Sequence, residues 1–353
     1  MLFWTLCHPP IKRFLPKVKK EVFVSDISTN IVPPQELLEA LESARRPLLI
    51  AHISPDGDAI GSLTALGYML YHLGKDPILA CQDKAPGAFN YLPFYDQIMR
   101  DVEGLHADLV ISLDSSDPSR MGSIYDDSQF GDLPLLVIDH HITNVYFGDI
   151  NWVEPSCCAT AELIFHLTKA MHVSLDKTLA TALLTGIVTD TRGFRTSNVT
   201  PAVMTVASHL LDAGAPLASI TERTLDTRSM ALIKLWGRAL NTVELSDGVI
   251  FAVNALDMRY DLGGIIRAEG LVSFILGAEQ AKIAAVFTEM SDGKVECSFR
   301  ARPGYDVAKI AFELGGGGHP PAAGCTVEGD LPSVQRKVVM LLKDEVKAKA
   351  PQR

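Results

Sequence analysis

The sequence predicts an α/β protein with a larger N-terminal parallel-sheet domain, flanking helices, and a smaller C-terminal α/β domain. Over the first two-thirds of the chain, short apolar segments alternate with helical patterns. That alternation is typical of parallel strands joined by helical crossovers. The pattern becomes purely helical at residues 200–241. Beyond this segment, strand and helix patterns return around a run of four glycines.

Four segments are expected along the 353 residues. They are an N-terminal extension (1–33), a catalytic α/β domain (34–199), a helical connector (200–241) and a second α/β domain (242–348). Because nearly half of the residues are apolar, the chain is long enough to bury two separate cores.

The N-terminal domain is expected to contain strands at residues 47–52, 108–114 and 133–141, and a helix that begins at Ala59. Apolar residues recur in that helix at intervals of three and four, which predicts one buried face. In the second domain we expect strands within 243–255. A helix is expected around residues 270–277. A strand pair is expected within 281–302, with its turn at 291–293.

Composition limits the kinds of partner and the cell compartment expected for this protein. The formal net charge of −10 argues against a protein that coats long nucleic acid, so a phosphate-bearing ligand should be small. The chain has no apolar run of about eighteen residues, which predicts no membrane-spanning helix. Six cysteines without a C-x-x-C pair indicate reduced thiols and a cytoplasmic protein. A monomer and a homodimer both stay open.

Metal-ligand residue types follow three of the predicted strands. His52 ends the first, Asp114 the second, and Asp139, His140 and His141 the third. The carboxyl ends of strands in open parallel sheets are where ligands bind. We therefore expect these side chains to meet at one edge of the sheet.

Three further aspartates join this group. Asp56 and Asp58 lie on a turn that leads into a helix, and Asp190 lies where a helical pattern ends. Each alone is explained as a helix cap, Asp58 above all. Together with the strand-end residues they form an oxygen and nitrogen ligand set, which favours Mn²⁺, with Mg²⁺ or Co²⁺ as alternatives. The predicted ligands of two divalent ions are His52, Asp56, Asp58, Asp114, His140 and Asp190. Two such ions serve to activate a hydroxide and to neutralise phosphoryl oxygens in phosphoester hydrolysis.

Five segments carry a resemblance to a known family. HISPDGD, LDSSD, IDHH and TGIVTDT, in this order, resemble the four motifs of the DHH phosphoesterases. GGGGHPPAAG resembles the glycine motif of the DHH-associated domain. The resemblance spans residues 45–328. The D-H-H triplet alone would carry no weight, whereas five ordered motifs across two domains do.

The resemblance implies roles for these residues. His52 and Asp56 would bind one metal ion, and Asp58 and His140 the other. Asp114 and Asp190 would be bridging or shared. Asp139 would orient an imidazole, a role that metal-bound histidines also lead us to expect on physical grounds. His141 would face the scissile phosphate, so the expected catalytic residues are Asp114, Asp139 and His141.

In the second domain, Arg300 and Arg302 lie two apart on a predicted strand and would share one face. The alternative for these two residues is that they are solvated arginines on an exposed strand. For the run of four glycines, the alternative is a flexible turn. The substrate-binding set implied by the resemblance is Arg300, Arg302, Gly315, Gly316, Gly317, Gly318 and His319. Guanidinium groups fit phosphate oxygens, and glycine backbone can cradle a phosphate. Arg192 departs from the family pattern, in which glycine often follows the D-T pair, and its contact with substrate stays open.

The domain arrangement is similar to the nanoRNase and pAp-phosphatase branch of the family. It implies hydrolysis of short oligoribonucleotides to mononucleotides, and of 3′-phosphoadenosine 5′-phosphate to AMP as a second activity. The substrates would be short RNA or 3′-phosphonucleotides, held between the two domains. One alternative is a linear or cyclic dinucleotide phosphodiesterase. From another class, a catalytically inactive nucleotide-binding regulator is the alternative.

Overall fold

The computed structural model describes residues 31–262 and 267–349. The predicted N-terminal extension therefore lies almost entirely outside the described residues. The chain divides into two compact units, Met1–Thr227 and Arg228–Arg353. Among the described residues no single helix is long and apolar enough to cross a membrane. One strongly bent helix pair, Pro201–Asp212 with Leu217–Asp226, passes that test only when the two are taken together.

The first unit contains a five-stranded sheet in which all neighbouring strands are parallel. The strand order is β2-β1-β3-β4-β5. The strands are β1 (Pro47–Ala51), β2 (Ile78–Ala80), β3 (Leu109–Leu113), β4 (Leu135–Asp139) and β5 (Ile150–Val153). The three predicted strands are confirmed as β1, β3 and β4, each buried at every position, as in a sheet covered on both faces. The sequence prediction missed β2 and β5, which are a three-residue strand and a half-buried edge strand.

Helices cover this sheet. They are α1 (Gln35–Ser43), α2 (Gly57–His72), α3 (Asp127–Phe130), α4 (Thr160–Ala170), α5 (Lys177–Asp190), α6 (Pro201–Asp212) and α7 (Leu217–Thr221), which continues into a π-helix at Glu222–Asp226. Short 3₁₀ helices lie at Gly87–Phe89, Tyr95–Gln97 and Pro118–Ile124. The apolar faces of α2, α4 and α5 pack with residues of β1, β3 and β4 in the main core of the unit.

Glycine permits the close approach of α2 and α5. A Cβ at Gly61 would lie 2.8 Å from the carbonyl oxygen of Ala182 and 2.9 Å from the nitrogen of Gly186. The two helix backbones therefore touch at this point, and no larger residue fits without a shift. This contact sets the distance between the N-terminal end of α2 and the C-terminal end of α5.

The second unit has a mixed six-stranded sheet of order β10-β11-β9-β8-β7-β6, in which only β7 and β8 are parallel. Its strands are β6 (Glu244–Ser246), β7 (Val249–Asn254), β8 (Ile283–Glu289), β9 (Lys294–Ala301), β10 (Gly317–His319) and β11 (Ala322–Glu328). Its helices are α8 (Met230–Leu240), α9 (Leu271–Ile275), α10 (Val307–Glu313) and α11 (Leu331–Ala348). Helices α8 and α9 cover one face of the sheet, and α10 and α11 cover the other. The smaller α/β domain is confirmed.

The segment predicted as a connector, 200–241, is helical but is shared by the two units. Val203 and Leu210 of α6 are buried in the core of the first unit. Leu235 and Ala239 of α8 are buried in a core of the second. The domain limits at 199 and 242 stay predictions.

The glycine run is partly a strand, whereas the sequence indicated a loop. Gly317–His319 forms β10 and pairs antiparallel with β11. A Cβ at Gly316 would lie 2.2 Å from the carbonyl oxygen of Gly324, and one at Gly318 would lie 2.5 Å from the Cα of Ala323. These two glycines are therefore required by the packing of the hairpin itself.

The α2–α5 contact generates a first prediction, because alanine is normally better than glycine inside a helix by about 1 kcal/mol. We expect Gly61→Ala to destabilise the protein despite this preference, by about 1–3 kcal/mol, because the added methyl group overpacks the helix contact. Gly237→Ala is the matched control, since Gly237 is also helical and its Cβ would meet no atom within 4 Å. Urea denaturation measures both variants. An equal change in the free energy of unfolding of the two variants would contradict a tight α2–α5 contact.

Candidate metal centre

The structure brings the strand-end residues together at the carboxyl edge of the parallel sheet, as predicted. His52, Asp114 and Asp139 are buried there, and His140 and His141 continue from β4. Asp56 and Asp58 arrive from the start of α2, and Asp190 is the last residue of α5.

Asp114 lies between the imidazoles of His52 and His140. The Nε2 atom of His52 is 3.5 Å from Oδ2 of Asp114 and 3.9 Å from Oδ1 of Asp56. The Nε2 atom of His140 is 3.7 Å from the other oxygen of Asp114, Oδ1. Nδ1 of His141 lies 3.7 Å from the same Oδ1 atom. One carboxylate therefore faces two neighbouring groups of ligand atoms, His52 with Asp56, and His140 with His141.

The second group contains two more carboxylates. The Nε2 atom of His140 lies 3.9 Å from Oδ2 of Asp58 and 3.7 Å from Oδ2 of Asp190. The resemblance left Asp190 bridging or shared, and these distances place it beside His140. Around Asp114, His52 and Asp56 thus lie on one side, and the other side has His140 and His141 with the carboxylates of Asp58 and Asp190 beside His140.

Asp58 is buried because a helix N-terminus receives its carboxylate. Its oxygens accept hydrogen bonds from the backbone nitrogens of Thr160 and Ala161 at 2.6 and 3.0 Å, and from Oγ of Ser62 at 3.2 Å. The alternative in which Asp58 only caps α2 is wrong. Asp56 is the cap, since its Oδ1 accepts from the nitrogens of Asp58 and Ala59.

Two motif glycines make room for this arrangement. A Cβ at Gly186 would lie 2.6 Å from Oδ1 of Asp58. A Cβ at Gly57 would lie 2.4 Å from Cγ2 of Thr189, the residue before Asp190. Larger residues at either position would displace a side chain of the cluster or its immediate neighbour.

The backbone of Asp114 is in the left-handed region, with a φ of 59°. Few non-glycine residues adopt it, although aspartate and asparagine do so more readily than others. Its nitrogen donates to the carbonyl oxygen of Ile138 at 3.0 Å, and its Oδ1 accepts from Oγ1 of Thr160 at 2.9 Å. Strain of this kind concentrates at functional sites.

The cluster carries more negative charge than its own side chains neutralise. Burial, together with the charge on Asp114, raises the pKa of Asp58 well above its usual value. Burial likewise raises the pKa of Asp190 to about 6, with the charges of Asp114 and Asp56 adding to the shift. Burial also opposes the ionisation of Asp114, but the hydrogen bond with His52 and the charge of His140 hold its pKa below the usual range. A buried set of oxygen and nitrogen donors with excess anionic charge fits divalent cations.

Asp139 orients His141. Its Oδ1 accepts from Nδ1 of His141 at 2.7 Å, and its Oδ2 accepts from Nδ2 of Asn144 at 2.7 Å. Although burial lowers the pKa of His141, the hydrogen bond to Asp139 raises it to about 9. The imidazole held by Asp139 is therefore that of His141, while Nδ1 of His140 faces the carbonyl oxygen of Cys157 at 3.4 Å.

Sequence reasoning missed Thr160, Asn144 and Arg120. Thr160 binds Asp58 through its nitrogen and Asp114 through its hydroxyl. Nη2 of Arg120 lies 2.9 Å from Nδ1 of His52. The position of Arg120, six residues after Asp114, was the available signal for a cation near the cluster. Single polar residues such as Thr160 and Asn144 offer no such pattern.

In the second unit the predicted substrate-binding residues lie around β9 and β10. Arg300 is in β9, but Arg302 follows it, because the strand ends at Ala301. Arg302 donates through Nε to the carbonyl oxygen of Ala281 at 2.7 Å and through Nη2 to that of Ala278 at 3.1 Å. His319 is exposed. Arg302 therefore stabilises the segment before β8, and any ligand contact would use its remaining nitrogen.

The fold and this cluster define the class of metal-dependent phosphoesterases built on a parallel α/β sheet. Two family models match the chain: "DHH family, N-terminal domain" at residues 47–187 and "DHHA1 domain" at residues 266–348. The chain belongs to the DHH family.

Relatives with named activities match over most of the chain. It is 35% identical to the bifunctional oligoribonuclease and PAP phosphatase NrnA of Thermus thermophilus, over 87% of this chain and 93% of the relative. It is 26% identical to NrnA of Bacillus subtilis, over 83% and 92%. The cyclic-di-AMP phosphodiesterase PdeA of Listeria monocytogenes is 25% identical over 81% of this chain but only 45% of the relative. An exopolyphosphatase-related protein from Bacteroides fragilis shares the fold, with a TM-score of 0.82 over 88% of this chain and 96% of that one, at 23% identity.

The contacts of Thr160 generate a second prediction. We expect Thr160→Val to weaken Mn²⁺ binding by about 10- to 100-fold, the range for residues that orient metal ligands. Titration calorimetry of the metal-free proteins with Mn²⁺ measures this affinity. Thr168→Val is the matched control, because Thr168 is also buried in α4 and its hydroxyl donates only to the carbonyl oxygen of Phe165. A similar loss of Mn²⁺ affinity in both variants would show that the effect comes from α4 and not from the hydroxyl.

Proposed function

We propose that this protein hydrolyses short oligoribonucleotides to mononucleotides, and 3′-phosphoadenosine 5′-phosphate to AMP, with two Mn²⁺ ions. The observation that carries the proposal is the position of Asp114, whose two oxygens face separate groups of ligand atoms. The two relatives named for these activities match over 87% and 83% of this chain, which supports the choice of substrates.

The proposed ligands divide along the two groups. His52, Asp56 and Asp114 would hold one ion, and a second would be held by Asp58, Asp114, His140 and Asp190. Bound divalent ions supply positive charge to phosphoryl oxygens and lower the pKa of water. Mn²⁺ is the proposed ion because it accepts both carboxylate and imidazole ligands, and Mg²⁺ or Co²⁺ are the alternatives.

His141 is proposed to contact the scissile phosphate. Its Nδ1 is occupied by Asp139, so its Nε2 is the ring atom left for a ligand. Its side chain is 36% exposed, compared with 11% for His140. Asp139 and Asn144 would keep the ring in the orientation in which Nε2 donates to a phosphoryl oxygen.

The second unit is proposed to bind the nucleotide through Arg300, Arg302, the glycine run 315–318 and His319. Gly317 supports this proposal best. It is exposed, its φ lies outside the left-handed region, and a Cβ there would meet no atom within 4 Å. Neither the hairpin nor the backbone conformation requires glycine at this position, which leaves close approach of a ligand as the reason for it.

A panel of substrates tests the proposal. The purified protein is assayed with Mn²⁺, Mg²⁺ or Co²⁺ on RNA of two to about ten nucleotides, long RNA, 3′-phosphoadenosine 5′-phosphate, and linear and cyclic dinucleotides. We expect the highest kcat/KM on RNA of two to about five nucleotides, activity on 3′-phosphoadenosine 5′-phosphate, and full loss with a chelator. A preference for cyclic dinucleotides would instead favour the function named for the Listeria relative. Tight nucleotide binding without turnover would indicate the inactive regulator.

A third prediction concerns Asp114. We expect Asp114→Asn to lower kcat by more than about 100-fold, above the usual effect of an outer contact, because a shared ligand loses its charge. Asparagine keeps the shape and tolerates the left-handed backbone, so the melting temperature of the metal-free protein should change little. Near-normal turnover by the folded variant would refute the shared-ligand assignment.

A fourth prediction concerns the glycine run. We expect Gly317→Ala to raise KM for an RNA dinucleotide by about tenfold, equivalent to about 1.4 kcal/mol, without changing the free energy of unfolding. Gly87→Ala serves as the control, because a Cβ there also meets nothing within 4 Å and Gly87 lies in the first unit. An unchanged KM for Gly317→Ala would remove this glycine from the binding set.

A further inference from the structure

Arg120 is the cationic side chain that the structure places against the metal centre. Within residues 31–262 and 267–349, the other groups in contact with the cluster are carboxylates, imidazoles, hydroxyls, the Asn144 amide and backbone groups. Its Nη2 atom lies 2.9 Å from Nδ1 of His52. Arg120 is half-buried, in the 3₁₀ helix Pro118–Ile124 that follows β3.

The backbone around Arg120 is fixed to the loop that carries His52. The carbonyl oxygen of Arg120 accepts from the nitrogen of Ile53 at 2.8 Å, and its own nitrogen donates to the carbonyl oxygen of Asp117 at 3.1 Å. Further along, the nitrogen of Ser123 donates to Oε1 of Gln82 at 2.8 Å. The guanidinium group is therefore presented to the cluster from an anchored segment.

The contact between Arg120 and His52 does not suit a metal-binding histidine. Nδ1 of His52 also lies 2.8 Å from the carbonyl oxygen of Ile53. When Nε2 binds a cation, the neutral ring carries its proton on Nδ1 and donates it to that carbonyl. Nδ1 then has no lone pair for Arg120, whose N–H groups are released for another acceptor.

We propose that Arg120 binds a phosphoryl oxygen of the substrate beside the His52 group of ligands; this inference rests on the proposed function. A planar guanidinium matches two phosphate oxygens, and a hydrogen bond between two charged groups is stronger than one between neutral groups. Its position beside the strand-end residue His52 puts that donor within the cluster itself. A phosphate that approaches four carboxylates meets in Arg120 a fixed positive charge.

Two binding measurements separate this role from a structural one. Metal-free Arg120→Gln, Arg120→Lys and wild-type proteins are titrated with Mn²⁺ by calorimetry. The Mn²⁺-saturated proteins are then titrated with 5′-AMP and with inorganic phosphate, and KM and kcat are measured on an RNA dinucleotide. Arg100→Gln is the control, because Arg100 is exposed and only its Nε donates, to the carbonyl oxygen of Gln82.

We expect Arg120→Gln to bind Mn²⁺ as tightly as wild type or more tightly, since a nearby positive charge is removed. Binding of 5′-AMP and phosphate should weaken by about 10- to 100-fold, with KM rising in step. The affinity of Arg120→Lys for 5′-AMP and phosphate should fall between those of wild type and Arg120→Gln. Arg100→Gln should bind both ligands as wild type does. If Arg120→Gln does not fold, the lysine variant carries the test, and unchanged 5′-AMP binding by it would overturn the proposal.

A loss of Mn²⁺ affinity in Arg120→Gln, with 5′-AMP binding to the saturated protein unchanged, would overturn the proposal in favour of a role in positioning His52. The proposed function has its own readout. If wild type turns over neither short RNA nor 3′-phosphoadenosine 5′-phosphate, that function fails. Even in that case, binding of phosphate and 5′-AMP to the Mn²⁺-saturated protein still tests whether Arg120 binds a phosphoryl oxygen.

Discussion

The shared carboxylate of Asp114 is the constraint around which the first unit is organised. To place one oxygen toward His52 and the other toward His140, the chain accepts a left-handed backbone at the end of β3. Such a conformation costs on the order of 1 kcal/mol or more for a residue with a side chain. The buried sheet offsets this cost, since β3 lies between β1 and β4 and hydrogen-bonds to both. The centre thus depends on strands that are buried at every position.

Packing of the helices serves the same cluster. Thr160 and Ala161, in the first turn of α4, direct their N–H groups at Asp58, where the positive end of the helix dipole favours an anion. Gly186 on α5 leaves the space that the same carboxylate occupies. The glycines of the PDGD and TGIVTDT motifs therefore act through the packing of α2 against α5. Their part in the site is to let charged side chains be buried close together.

The sequence allowed the strand-end residues to be predicted because each ends or follows a largely apolar strand, and parallel strands end at one edge. It did not allow Thr160, Asn144 or Arg120 to be predicted, because they contact the cluster from a helix start, a loop and a 3₁₀ helix. Such contacts follow from tertiary packing and leave no periodic pattern. The sequence did not identify the residue that caps α2 for a related reason. Asp56 and Asp58 both suit a cap by residue type, and only the contact of Asp58 with α4 distinguishes them.

The glycine run of the second unit contains positions that the fold requires and one that it does not. Gly316 and Gly318 face the backbone of β11 so closely that the hairpin cannot form with larger residues. Gly315 has a φ of 79°, which favours glycine whatever lies nearby. Only Gly317 has both ordinary backbone geometry and open space. Arg302 is likewise used by the fold, since it donates hydrogen bonds to three backbone carbonyl oxygens. Resemblance to a family motif therefore identifies a candidate region for nucleotide binding, while the geometry shows which of its residues already serve the fold.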